Sequence, residues 1–124
     1  MLKKALIANS VFSLVSGLAL AALPQVFADL MGISPTWLVR LVGVGVFLFG
    51  LDVGWTATRP TLSRVRATLV CLMDASWVAG SAVLLVIWGS VLSGAGQVIV
   101  AAVAVAVGSF MVAQLIGLRR EVMA

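Results

Sequence analysis

The sequence predicts an all-α, polytopic membrane protein: one domain, 1–124, in which four transmembrane helices form an antiparallel bundle with both termini in the cytoplasm. Three observations carry that expectation. Hydrophobic residues make up 63% of the chain and charged residues only 10%, against roughly 25% charged in soluble domains, so too few polar groups exist to cover a water-facing surface. The apolar residues gather into four runs, each near the roughly 20 residues that cross ~30 Å of hydrocarbon. The basic residues, finally, collect at the ends of those runs on alternate connections.

The first run, about 5–23, comes after Lys3 and Lys4 and ends at Pro24. Ser34-Pro35 reads as an N-cap and first-turn pair that starts the second run, about 36–57, and Arg59-Pro60 closes it. The third, about 65–88, ends at Gly89-Ser90. The fourth, about 97–118, begins after Ser93-Gly94 and leads into Arg119 and Arg120. Backbone polar groups in lipid need partners within the segment, which makes helices the natural form of runs this long. Short connections predict that sequential helices are antiparallel neighbours.

Charge sets the orientation. Lys3, Lys4, Arg59, Arg64, Arg66, Arg119 and Arg120 all belong to one side of a four-pass arrangement, and the opposite connections hold only Asp29. The positive-inside rule makes the basic side cytoplasmic. Arg40 sits about one turn inside the outer end of the second helix and is expected to snorkel outward, towards Asp29. Trp37 and Trp88 mark the outer interface and Trp55 the inner one. Met1–Ala28 also has the outline of a signal peptide, with Val26-Phe27-Ala28 at its end, but Asn9, Ser10, Ser13 and Ser16 interrupt the apolar core such a segment needs. At an offset of 63, Ser13, Val15, Gly17 and Ala19 match Ser76, Val78, Gly80 and Ala82, and Val42, Val44, Gly45, Phe47 and Gly54 match Val105, Val107, Gly108, Phe110 and Gly117. A parallel two-helix repeat, 1–62 and 64–124, and biased composition both account for these matches.

Several chemistries are disfavoured at once. Histidine and tyrosine are absent, which removes the commonest general base and metal ligand. The one cysteine, Cys71, lies in an apolar run with no cation within a turn to make it a thiolate, and the serines have no base beside them. Gly43 and Gly45 lie inside an apolar span with no lysine after them, so they are no nucleotide loop. No cofactor or metal is expected. The net charge of +4 marks topology rather than nucleic acid, because the basic residues sit at segment ends.

The informative residues are the polar ones inside the spans. With a rise of ~1.5 Å per residue, Asn9 lies ~6 Å from the cytoplasmic boundary, Asp52 ~7 Å, Asp74 ~10 Å and Gln114 ~6 Å. Each helix thus offers one amide or carboxylate in the inner part of the membrane, where polar groups turn towards one another rather than to lipid. Asn9, Ser13 and Gly17 recur every fourth residue and form a slender polar stripe. The layer reads in two ways: as hydrogen bonds that fix helix register, or as a proton or cation site centred on Asp74, with Asp52, Asn9 and Gln114 around it. Trp77, one turn from Asp74, suits an organic cation or plain packing. Small residues form a second theme. Gly43, Gly50 and Gly54 line one face of the second helix and Ala101, Ala104 and Gly108 one face of the fourth; with Gly17 and Gly80 they are candidates for close helix packing, inside the bundle or between protomers.

The stretch from Asn9-Ser10 and Leu18–Pro24 through Met31-Gly32 and Leu41–Gly50 to Asp74-Ala75-Ser76-Trp77-Val78 resembles the small four-helix inner-membrane families of bacteria that lack a characterised activity. The resemblance implies an inner-membrane protein and carries over no catalytic residues. Small multidrug-resistance transporters share the helix count, yet they carry an essential glutamate in the first span, where this chain has Asn9. The leading expectation is a non-enzymatic protein of the inner membrane that self-associates or serves as an accessory subunit of a larger assembly. The alternative is a small proton- or cation-coupled transporter or channel acting as an oligomer through Asp74.

Overall fold

A computed structural model describes residues 2–33, 35–61 and 63–123, with side chains up to residue 120. The described residues are all-helical and form five helices: α1 (Leu2–Ala22), α2 (Pro24–Met31), α3 (Thr36–Thr58), α4 (Arg64–Trp88) and α5 (Gly94–Met123). α1, α3, α4 and α5 are each long and apolar enough to cross a membrane. Their composition is inverted relative to a protein in water. The buried face of α1 carries Asn9, Ser10, Ser13 and Gly17, while Val11, Val15 and Leu18 are exposed. On α4, Asp74 and Ser81 are buried and Val86 is 84% exposed. Water would reverse that pattern, so the apolar helices point to a lipid bilayer as their surroundings.

The short α2 is an addition to the four long helices. Pro24 does not simply end the first helix. The chain breaks at Leu23 (φ −124°, ψ 50°), and Pro24 begins a second helix, where its missing N–H removes no bond. Gln25 and Asp29, one turn apart, put α2's polar groups on one side, and Gln25 Nε2 donates to Asp29 Oδ1 (2.7 Å). Gly32 closes it in the left-handed region (φ 74°), its N–H bonded to the Ala28 carbonyl. Eight residues are too short to register as a span, and the amphipathic pattern is hidden within a connection. Asp29 therefore bonds to Gln25, and no ion pair to Arg40 occurs among the described residues. At the start of α3 the N-cap position falls on Pro35, with Thr36 the first helical residue; Ser34 lies outside the described residues.

Packing is uneven, and glycine decides where it is closest. α1 and α3 share the most extensive contact of any pair. A methyl group on Gly43 would lie 2.5 Å from the Ala21 nitrogen, one on Gly50 would lie 2.9 Å from the Leu14 nitrogen, and one on Gly17 would strike the Phe47 backbone. Ser10 Oγ donates to the Gly50 carbonyl (2.7 Å) and crowds Gly54. Along this seam the α1 positions fall from Ala21 to Ser10 as the α3 positions rise from Gly43 to Gly54. α4 rests mainly on α5, and α5 meets α1 through Gly117 against Leu2 and through Phe12 and Phe110, whose rings lie 5.4 Å apart.

Consecutive helices are not always close neighbours, contrary to expectation. α3 and α4 scarcely touch, because the narrow face of α3 is already occupied by α1. The two helices converge only at one end, where Val53 and Ala57 meet Ala67, Val70 and Cys71 in a cluster completed by Leu2, Leu6 and Leu118. That cluster brings the start of α1, the end of α3, the start of α4 and the last turns of α5 to the same end of the molecule. At the other end Ser93 fastens the α4–α5 connection to α2. Its Oγ donates to the Leu30 carbonyl (2.6 Å), its N–H donates to the Met31 carbonyl (3.0 Å), and Oγ accepts from the Gly96 N–H (2.9 Å).

Two glycine substitutions test the seam by opposite outcomes. Gly43→Ala places carbon against backbone and is expected to lower stability by about 2–3 kcal/mol. Gly45→Ala meets nothing within 4 Å and is expected to raise it by about 0.5 kcal/mol, since alanine is the better helix former. Thermal unfolding of the two variants in detergent reads both.

Candidate functional site

Three of the helices each send one polar side chain into the interior at a common level. Asn9 on α1, Asp74 on α4 and Gln114 on α5 are buried, Asn9 and Gln114 completely and Asp74 to 2% exposure. They form a closed triangle. Asn9 Nδ2 donates to Asp74 Oδ2 (3.0 Å) and to Gln114 Oε1 (2.9 Å), and Gln114 Nε2 donates to the same Asp74 Oδ2 (2.9 Å). The second N–H of Gln114 points to Cys71 Sγ (3.6 Å), three residues before Asp74 on the same face of α4. Ser13, one turn beyond Asn9, donates to Asn9 Oδ1 (3.3 Å). No buried side-chain nitrogen or oxygen among the described residues is left without a partner.

Helix periodicity sets the level. Asn9 and Ser13 lie four residues apart on one face, and Cys71 and Asp74 three apart. α1 and α4 make no close backbone approach, so Asn9 and Asp74 bridge them from opposite sides of the interior, with Gln114 alongside. The arrangement has one electrostatic peculiarity. Both donors to Asp74 are neutral amides, and no lysine or arginine among the described residues lies within 4.0 Å of its carboxylate. Carboxylate and amide oxygens are the donor types that protons and hard cations take.

Asp52 stands apart from this cluster, which is a correction to the expected layer. Its carboxylate meets Arg66 Nη2 at 2.5 Å, and the pair is about half exposed. Arg66 Nε donates to Thr56 Oγ1 (3.1 Å), whose hydroxyl donates to the Asp52 carbonyl (3.0 Å). Arg66 lies two residues into α4 and reaches across to α3, so the charge of Asp52 is answered at the rim. Trp77 is exposed on α4. Among the small residues, Gly17, Gly43, Gly50 and Gly54 are used within the chain, whereas a methyl group on Gly108 would meet Val78 Cγ2 at 3.8 Å and one on Gly80 would meet nothing within 4 Å. Ala101 is exposed on α5 and Ala104 partly so.

Four contributors escaped the sequence reading. Ser10 was visible only as an interruption of an apolar run. Gly96 and Gly117 sit where a methyl would lie 2.5 Å from the Met31 oxygen and 2.7 Å from Leu2 Cα. Ser93 read as part of a turn, although a serine just before a helix is also an N-cap signal. No family model, curated protein or solved structure matches the chain.

Removing either amide leaves the Asp74 carboxylate with one donor instead of two. Asn9→Ala and Gln114→Ala are each expected to destabilise by about 1–3 kcal/mol, and the double variant by less than their sum, because both act on one oxygen. Asp52→Asn is expected to change stability by no more than about 1 kcal/mol, as an exposed, solvent-screened pair does. Unfolding of the single and double variants in one detergent measures all of these.

Proposed function

We propose that this chain is a multi-pass protein of the bacterial inner membrane, an antiparallel four-helix bundle with both termini cytoplasmic, and that Asp74 works in it as a proton- or cation-responsive group. The observation that carries the reading is an acid, rather than an amide, at the centre of a buried three-helix network with no cation beside it. If these hydrogen bonds served only to hold register, asparagine at position 74 would supply them without an ionisable group in low dielectric. An acid has a second state. As a carboxylate it accepts from Asn9 and Gln114, as the geometry has it. Once protonated it needs an acceptor, and either amide meets that need by turning its oxygen inward. Three helices thereby share one two-state hydrogen-bond network. On this reading the protein is a small proton- or cation-coupled transporter or channel that acts as an oligomer, since four helices enclose little volume.

A second reading is a non-enzymatic self-associating protein or accessory subunit of a membrane assembly. It is favoured by Gly80, where the α4 backbone is open to close approach. Against it, the glycine face of α3 is consumed by α1 rather than left for a partner.

Liposomes holding a pH-sensitive dye separate the two. The natural chain is expected to dissipate an imposed pH gradient, and Asp74→Asn to abolish that flux while retaining the fold. Equal flux from the variant, or none from the natural chain, removes the transport reading. Orientation is tested independently in a Cys71→Ala background: Asp29→Cys should react with an impermeant thiol reagent on intact cells, and Arg120→Cys only after the membrane is opened.

A further inference from the structure

The apolar cluster at the α3–α4 junction gathers seven of the chain's eight basic residues into one end cap. Lys3 and Lys4 stand on the first turn of α1, Arg59 just after α3, Arg64 at the start of α4, and Arg119 and Arg120 near the end of α5; all are exposed. Arg66 is the member whose charge is answered by a described carboxylate, Asp52. The cap is more than a topology signal, because part of it is pre-arranged. The guanidinium of Arg59 lies over the Trp55 ring, 3.6 Å from its centroid, and its Nε donates to the Trp55 carbonyl (3.3 Å). Those two contacts hold the group in place, and its terminal N–H donors make no hydrogen bond among the described residues. Trp55 itself is 52% exposed, and an indole of this kind sits at the level of lipid headgroups.

We infer that this end is a binding surface for the phosphate headgroups of anionic phospholipids, with Arg59 on Trp55 as its fixed contact. Three features select a lipid over another anion. The basic residues rim an exposed apolar band that includes Val65 and Leu69 on α4, so a ligand there needs an anionic head and an acyl tail together. Arginine presents paired donors that match phosphate oxygens. The surface spreads over all four long helices, as a leaflet does and a compact soluble ligand does not. The inference is independent of the role of Asp74.

The test uses the purified full chain in neutral detergent with a fluorescent phosphatidylglycerol as probe. Unlabelled phosphatidylglycerol should displace it, phosphatidylcholine should not, and inorganic phosphate at millimolar concentration should not. Arg59→Gln with Arg64→Gln should weaken retention at least tenfold, from about fivefold per basic side chain near an anionic surface, and raising the salt several-fold should weaken it as well. Retention of helical circular dichroism shows that the variant is folded; if it is not, Lys3→Gln with Lys4→Gln takes its place with the same expectation. Equal displacement by phosphatidylcholine, unchanged retention by the folded variant, or displacement by inorganic phosphate alone each overturns the proposal, the last by making the ligand free phosphate.

Discussion

In hydrocarbon a polar group has no solvent to fall back on, and that constraint shapes most of this structure. Polar side chains along the spans either turn in, as Asn9, Ser13, Asp74 and Gln114 do, or bond back to their own helix, as Ser76 and Ser109 do. The middle turns of α1 are accordingly more polar inside than outside, with Asn9, Ser10 and Ser13 buried and Val11, Val15 and Leu18 exposed. Helix association then has no hydrophobic drive of the kind water provides. It rests on dispersion contact and on a few interhelical hydrogen bonds, which explains why the closest seam is the one lined by glycine and why Ser10 bonds to a carbonyl there.

The two ends of the molecule are held by different means. The basic end is packed: Leu2, Leu6, Val53, Ala57, Ala67, Val70 and Leu118 form a buried cluster among four helices. The opposite end is fastened by hydrogen bonds, with Ser93 tying α2 to the start of α5 and Thr36 Oγ1 donating to Gln25 across the α2–α3 turn (2.9 Å). Between them, α3 and α4 make the least contact of the helix pairs that touch. The Arg66–Asp52–Thr56 link joins these two close to the packed end, so it ties two helices that share little else.

Much of the fold was legible in the sequence because hydropathy, basic-residue placement and helix punctuation agree. The four long helices emerge within a few residues of their expected limits, with α1 starting earlier and α5 extending further at both ends. α2 was not legible, since an eight-residue amphipathic helix shares its composition with a loop after a proline. Nor was the separation of α3 from α4: sequence distance predicts proximity, but a glycine face can be taken by only one neighbour. Depth arithmetic grouped Asp52 with Asn9, Asp74 and Gln114, because depth fixes position along a helix and says nothing of rotation about it. Rotation turns Asp52 to the rim, where an arginine from the next helix reaches it.

The Asn9–Asp74–Gln114 triangle also has a consequence for how the chain is assembled. Asp74 and Gln114 belong to the second half of the polypeptide and Asn9 to the first. The α1–α3 glycine seam uses no residue of α4 or α5, whereas the side-chain acceptors of the Asn9 amide lie on those two later helices. The two bonds donated by Asn9 therefore join the first pair of long helices to the second pair. Correct docking of the two halves is thus checked by a hydrogen bond rather than by shape alone, and a mispaired half would leave an ionisable group stranded in lipid.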